Sequence, residues 1–148
     1  MTSGLHLPLS ALVLLVLNSD IRTTAPLNLQ IVAGGKLVWT ASIQPGEEFD
    51  LAYEHSREHS TWIHHYVAMN EGSIHQVSST FSAFGAGMPL TGATVRTAAG
   101  FTIRQSQWLG ELRMLNWRPS AITLRYRRKE ILIGQRLSDF EPFVVRVR

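Results

Sequence analysis

The sequence predicts an all-β protein: an antiparallel β-sandwich, or a partly open barrel, behind an N-terminal export or anchor segment. Three observations carry this expectation. Beyond residue 26, apolar and polar residues alternate in short runs with period two. Glycine, proline and asparagine punctuate those runs at the spacing of strand connections. No stretch sustains the 3.6-residue period of an amphipathic helix.

Composition narrows the classes further. The 148 residues suit one domain, and 45% apolar against 17% charged residues excludes long disorder, a collagen-like chain and a polytopic membrane protein. The chain has no cysteine, which removes disulfides, iron–sulfur clusters, thiolate zinc sites and cysteine nucleophiles. Any chemistry must come from histidine, carboxylate, hydroxyl or backbone groups.

The elements follow in order. Residues 1–25 read as a signal peptide or membrane anchor, because Leu5 to Leu17 is almost wholly apolar yet shorter than the roughly 20 residues of a spanning helix. The n-region, Met1 to Gly4, has no Lys or Arg, and Thr23-Thr24-Ala25 is the nearest approach to a cleavage site. The expected location is the periplasm or the outer face of the cytoplasmic membrane, with residues 26–148 as a single β domain.

Within that domain, Leu37, Trp39, Ala41 and Ile43 alternate with Val38, Thr40 and Ser42. The turn sequence Gln44-Pro45-Gly46-Glu47 follows, and then Phe49, Leu51, Tyr53 and His55 alternate again, which predicts a hairpin. Further strands are expected over 62–69, 73–84, 100–105, 111–117, 121–127, 131–133 and 143–147. One core is expected, containing Trp39, Phe49, Leu51, Tyr53, Ile103, Leu124 and Val145.

Charge is distributed unevenly. Residues 25–95 carry a net charge of −4 and residues 96–148 a net charge of +7. The densest basic run is Arg125, Arg127, Arg128 and Lys129, whose first two members are expected to point away from Ile122, Leu124 and Tyr126 as a solvated strand face. Basic residues interleaved with stacking aromatics are lacking, so nucleic acid is not an expected partner.

Histidines 55, 59, 64, 65 and 75 fall within 21 residues, beside Glu54 and Glu58. Zinc needs three or four ligands converging at about 2 Å. Adjacent His64 and His65 must face opposite sides of a strand, so only a subset can converge, and His55 is read as a strand-end histidine in the fold or a binding patch rather than a ligand. His55, Ser56 and Glu58 supply the residue types of a hydrolytic triad, but strand neighbours do not give a nucleophile its base and the base its orienting group. No catalytic residue, metal or cofactor is therefore assigned. Gly85-Ala86-Gly87 lacks the Lys-Ser or Lys-Thr and the following helix of a phosphate-binding loop.

Three segments together carry a family resemblance. Gly46-Glu47-Glu48-Phe49-Asp50-Leu51-Ala52-Tyr53-Glu54-His55-Ser56, Phe81-Ser82-Ala83-Phe84-Gly85-Ala86-Gly87-Met88-Pro89 and, more weakly, Gly100–Arg125 resemble the bacterial domain-of-unknown-function family 1850. The resemblance covers most of residues 36–133. It implies a small exported protein, often encoded beside TRAP-type solute transporters of the TAXI class, with no established activity. Where relatives tend to have a Glu six to nine residues past His-Ser, this chain has Ile63, His64 and His65.

The functional expectation places a ligand- or partner-binding patch at Tyr53, His55, Ser56, Glu58, Phe84, Gly85, Gly87, Met88 and Pro89. The leading reading is a non-enzymatic envelope accessory protein that binds a transporter subunit or its solute receptor. The alternative is a small-ligand or metal-binding module centred on the His-rich hairpin, and a hydrolase ranks last.

Overall fold

The computed structural model describes residues 26–57, 59–85, 92–98 and 100–148. Eleven strands are described: β1 (Leu27–Ala33), β2 (Lys36–Ile43), β3 (Glu48–Glu54), β4 (Thr61–Ala68), β5 (Ile74–Phe81), β6 (Thr94–Thr97), β7 (Gly100–Leu109), β8 (Glu111–Leu115), β9 (Thr123–Tyr126), β10 (Lys129–Leu132) and β11 (Pro142–Val147). The expected all-β antiparallel sandwich is what forms. A four-stranded sheet, β2-β1-β11-β8, packs on a seven-stranded sheet, β10-β9-β3-β4-β5-β7-β6, and the two are not closed into a barrel. The export segment expected over residues 1–25 lies outside the described residues. Among the described residues, no helix is long and apolar enough to cross a membrane.

The expected β2–β3 hairpin does not form. Gln44 to Glu47 turns the chain as its composition predicts, but carries it from one sheet to the other. β2 pairs with β1, and β3 pairs with β4 and β9. The competing partner is β1, which the sequence reading did not assign although Leu27, Leu29, Ile31 and Ala33 alternate. Gly34 and Gly35, both at positive φ, supply the two-residue turn that joins β1 to β2. A register shift in that pairing leaves Val38 as the extra residue of β2, which turns Leu37 out to 55% exposure.

The core also departs from expectation, because it has two parts. Phe49, Leu51, Leu124 and Val145 belong to the main cluster between the sheets, with Leu29, Ile31, Ile74 and Phe143. Ile103 packs separately with Trp62 and Phe81, in a second cluster on the large sheet. Tyr53 is half-buried and touches both clusters, while Trp39 is half-buried beside the main one. Arg127 is likewise not on a strand face. It forms the β9–β10 turn with Arg128, both at positive φ, and its guanidinium holds Glu47 with nitrogen–oxygen distances of 2.7–3.0 Å.

Candidate functional site

The two strongest sequence motifs meet at one end of the seven-stranded sheet. His55 and Ser56 leave β3, and Ser82 to Gly85 leave β5, on either side of the start of β4. The Thr61 amide donates to Ser82 Oγ at 2.9 Å, and the Ser82 amide donates to the Thr61 carbonyl at 3.0 Å. Trp62 is the hub between them. Its ring stacks on His55 with centroids 4.4 Å apart and meets Phe81 edge-on at 4.6 Å. His55 therefore sits just beyond its strand, half-buried against an indole, rather than within the apolar row of β3. Phe84 is 65% exposed yet rests on Phe101 at 3.8 Å, and the Arg96 guanidinium lies 5.7 Å above the Phe101 ring. Glu58, Gly87, Met88 and Pro89, expected in the same patch, lie outside the described residues.

The other histidines divide as parity requires. On the inner face, His64 Nε2 lies 2.9 Å from the Tyr53 hydroxyl and Nδ1 lies 2.6 Å from Ser79 Oγ. Ser79 donates to Gln105 Oε1 at 2.6 Å, and Gln76 Nε2 donates to the same oxygen at 2.8 Å. A consistent direction runs from the Tyr53 O–H to Nε2 and from Nδ1–H through Ser79 to Gln105, with an uncharged imidazole at its centre. Burial, helped by neighbouring His65, pushes the His64 pKa down to about 4, and burial pushes the Tyr53 hydroxyl up to about 12.

On the outer face, His65 Nδ1 lies 2.8 Å from Asp50 Oδ1, its Nε2 lies 2.9 Å from Thr80 Oγ1, and Thr80 meets Thr102 at 2.9 Å. Carboxylate, imidazole and hydroxyl thus stand in the order of a nucleophilic triad. Thr80, however, sits in a central strand between Ile63 and Thr102, where the neighbouring amides are committed to the sheet ladder and leave no oxyanion donors beside it. This row ties β3, β4, β5 and β7 together across the outer face. Among the described residues, no three His, Asp or Glu side chains converge as a metal site would require.

Sequence reasoning singled out His64 and His65 but missed Gln76, Ser79, Thr80 and Gln105. The available signal was parity: Gln76, Ser79 and Thr80 are polar residues in a largely buried strand, where unpaired hydrogen-bonding groups are costly.

With the geometry in place, a family comparison applies. The model of a domain of unknown function (DUF1850) matches residues 49–133. The chain belongs to the DUF1850 family. The DUF1850 match takes in all the strands of the large sheet except Glu48, together with β8. Strands β1, β2 and β11, which make the rest of the small sheet, fall outside it. Both the Trp62 hub and the His64 network therefore lie within the matched residues. No curated protein and no solved structure matches the chain.

Proposed function

We propose that this protein is a non-catalytic accessory of the cell envelope that binds a subunit, or the solute receptor, of a TRAP-type transporter through the His55–Phe84 end of its large sheet. The supporting observation is the convergence of the two motifs on Trp62, with the exposed Phe84 ring resting on Phe101, over which the Arg96 guanidinium lies. Loops held by a rigid sheet are ordinary recognition surfaces, and an aromatic beside an arginine is the composition of an interface anchor. The partner's identity comes from the gene neighbourhood that family resemblance implies.

The test is genetic and biochemical together. Phe84→Ala and Ser56→Arg alter the surface without touching either apolar cluster. Each should reduce uptake by the neighbouring transporter several-fold while the thermal midpoint stays within a few degrees. Normal uptake in both variants and in a deletion strain would reject the transporter role.

A further inference from the structure

We propose that the cleft between the inner face of the large sheet and strand β8 is a binding site for a small uncharged solute, one with an amide or hydroxyl at one end and a short apolar tail at the other. The cleft has a volume of about 290 Å³. Tyr53, His64, Tyr66 and Gln76 line it from the large sheet, and Leu109, Leu112 and Met114 from the β7–β8 corner and β8. This site is separate from the proposed docking surface, although Tyr53 borders both.

Two polar atoms set the ligand chemistry. The Tyr66 side chain belongs to a residue only 6% exposed, and its hydroxyl has no hydrogen-bond partner among the described residues. Gln76 is 8% exposed, and its Nε2 is engaged by Gln105 and Ser79, while its Oε1 has no partner among the described residues. Both atoms keep contact with solvent in the cleft, so water satisfies them until a ligand takes its place. A phenol that donates and a carboxamide oxygen that accepts are together matched by a group that both accepts and donates, as a primary amide or an alcohol does. The Tyr53–His64–Ser79–Gln105 chain fixes the floor around them, so the site is organised before anything enters.

Charge is excluded for a physical reason. Burial keeps both tyrosine hydroxyls protonated and His64 neutral, so the floor offers no ion to meet an ion. At the cleft's β8 side, Glu111 and Arg113 form an ion pair with each other. A carboxylate or an ammonium would give up its hydration for a partner that is already paired and, in Arg113, largely exposed to water. Leu109, Leu112 and Met114 would instead accept a short hydrocarbon tail.

Amide-detected NMR titration of the folded chain with butyramide, 1-butanol, butyrate and butylammonium tests this. Butyramide and 1-butanol should give saturable shifts at Tyr66, Gln76, Leu109 and Met114. Shortening butyramide to propionamide and acetamide should weaken binding about fourfold per methylene. The charged analogues should give no saturable shift there. Tyr66→Phe keeps the ring that stacks on Phe49 and should bind butyramide about tenfold more weakly. Leu109→Trp, which fills the cleft from its wall, should block butyramide also and serves if the tyrosine variant loses its fold. Cleft amides that ignore both neutral probes would mean the cleft holds water alone. That result, equal binding of butyrate or butylammonium, or unweakened binding by a folded Tyr66→Phe variant would overturn the proposal.

Discussion

At the residue scale, His64 illustrates how a half-polar interior acquires a pH dependence. Its folded pKa lies near 4 and its ordinary value is 6.5, so as pH falls through this window the unfolded chain takes up a proton that the folded chain refuses. Stability contributed by the neutral, buried ring is therefore complete above about pH 6.5 and is lost progressively toward pH 4. The shift corresponds to a loss on the order of 3 kcal/mol. Urea unfolding of the native chain and of His64→Gln at pH 7 and at pH 4.5 checks this: the native protein should lose more stability than the variant over that interval. Glu47 is a second such residue. Burial raises its pKa, but hydrogen bonds from the Gln44 amide, Tyr126 and Arg127, with the Arg127 charge, outweigh burial and leave it lowered. Glu47→Gln is expected to cost about 1–2 kcal/mol at neutral pH, measured by chemical denaturation, because it removes the charged acceptor that ties the β2–β3 connection to the β9–β10 turn, 80 residues away in sequence.

At the scale of elements, the connections between sheets rest on buried polar groups. Asn116 has no exposed surface and donates from Nδ2 to the carbonyls of Ser138 at 2.8 Å and Leu137 at 3.3 Å, while its amide donates to the Glu141 carbonyl. It thereby joins the end of β8 to the loop before β11. Asn116→Leu should lower the unfolding free energy by about 2–3 kcal/mol, since the buried Leu137 carbonyl loses its partner and the Ser138 carbonyl must turn to water. Gly100, which opens β7 at φ +126°, is the matching case in the backbone. A Cβ there would strike the Phe81 carbonyl oxygen, so Gly100→Ala should destabilise by more than 3 kcal/mol in the same denaturation experiment. These examples also explain what the sequence could disclose. Period-two alternation located most strands, because each buries one face. It could not disclose that β2 prefers β1 to β3, since Gln44-Pro45-Gly46-Glu47 is locally as good a hairpin turn as Gly34-Gly35. Pairing is decided by burial against β11, more than 100 residues away. The His55 and Phe84 motifs were legible as sequence, and their meeting at Trp62 depends on β4 and β5 being neighbours. The Tyr66 and Gln76 cleft was illegible because it needs β8, a strand of the other sheet, to form its wall.

At the scale of the whole molecule, the uneven charge of the sequence is partly consumed by folding. Glu47 meets Arg127, and the acidic strand β3 lies against β9, with Asp50 opposite Arg125. Arg125 itself pairs with Glu130 on β10. The larger sheet carries the buried Trp62 cluster, the exposed Phe84 and the His64 network, whose Tyr53, His64 and Gln76 share a cleft with β8. The DUF1850 match spans that larger sheet and β8, so the residues of the proposed recognition surface and cleft fall within it, whereas β1, β2 and β11 lie outside. Docking through the His55–Phe84 end is the proposed role of the chain. Amide hydrogen exchange of the protein, alone and with the purified subunits of the neighbouring transporter, tests it most directly. Docking there should slow exchange only at residues 55–57, 82–85 and 94–97, with the edge strands β2 and β10 unchanged. Unaltered exchange at that end in the presence of every subunit, or protection at β2 or β10 instead, would contradict it.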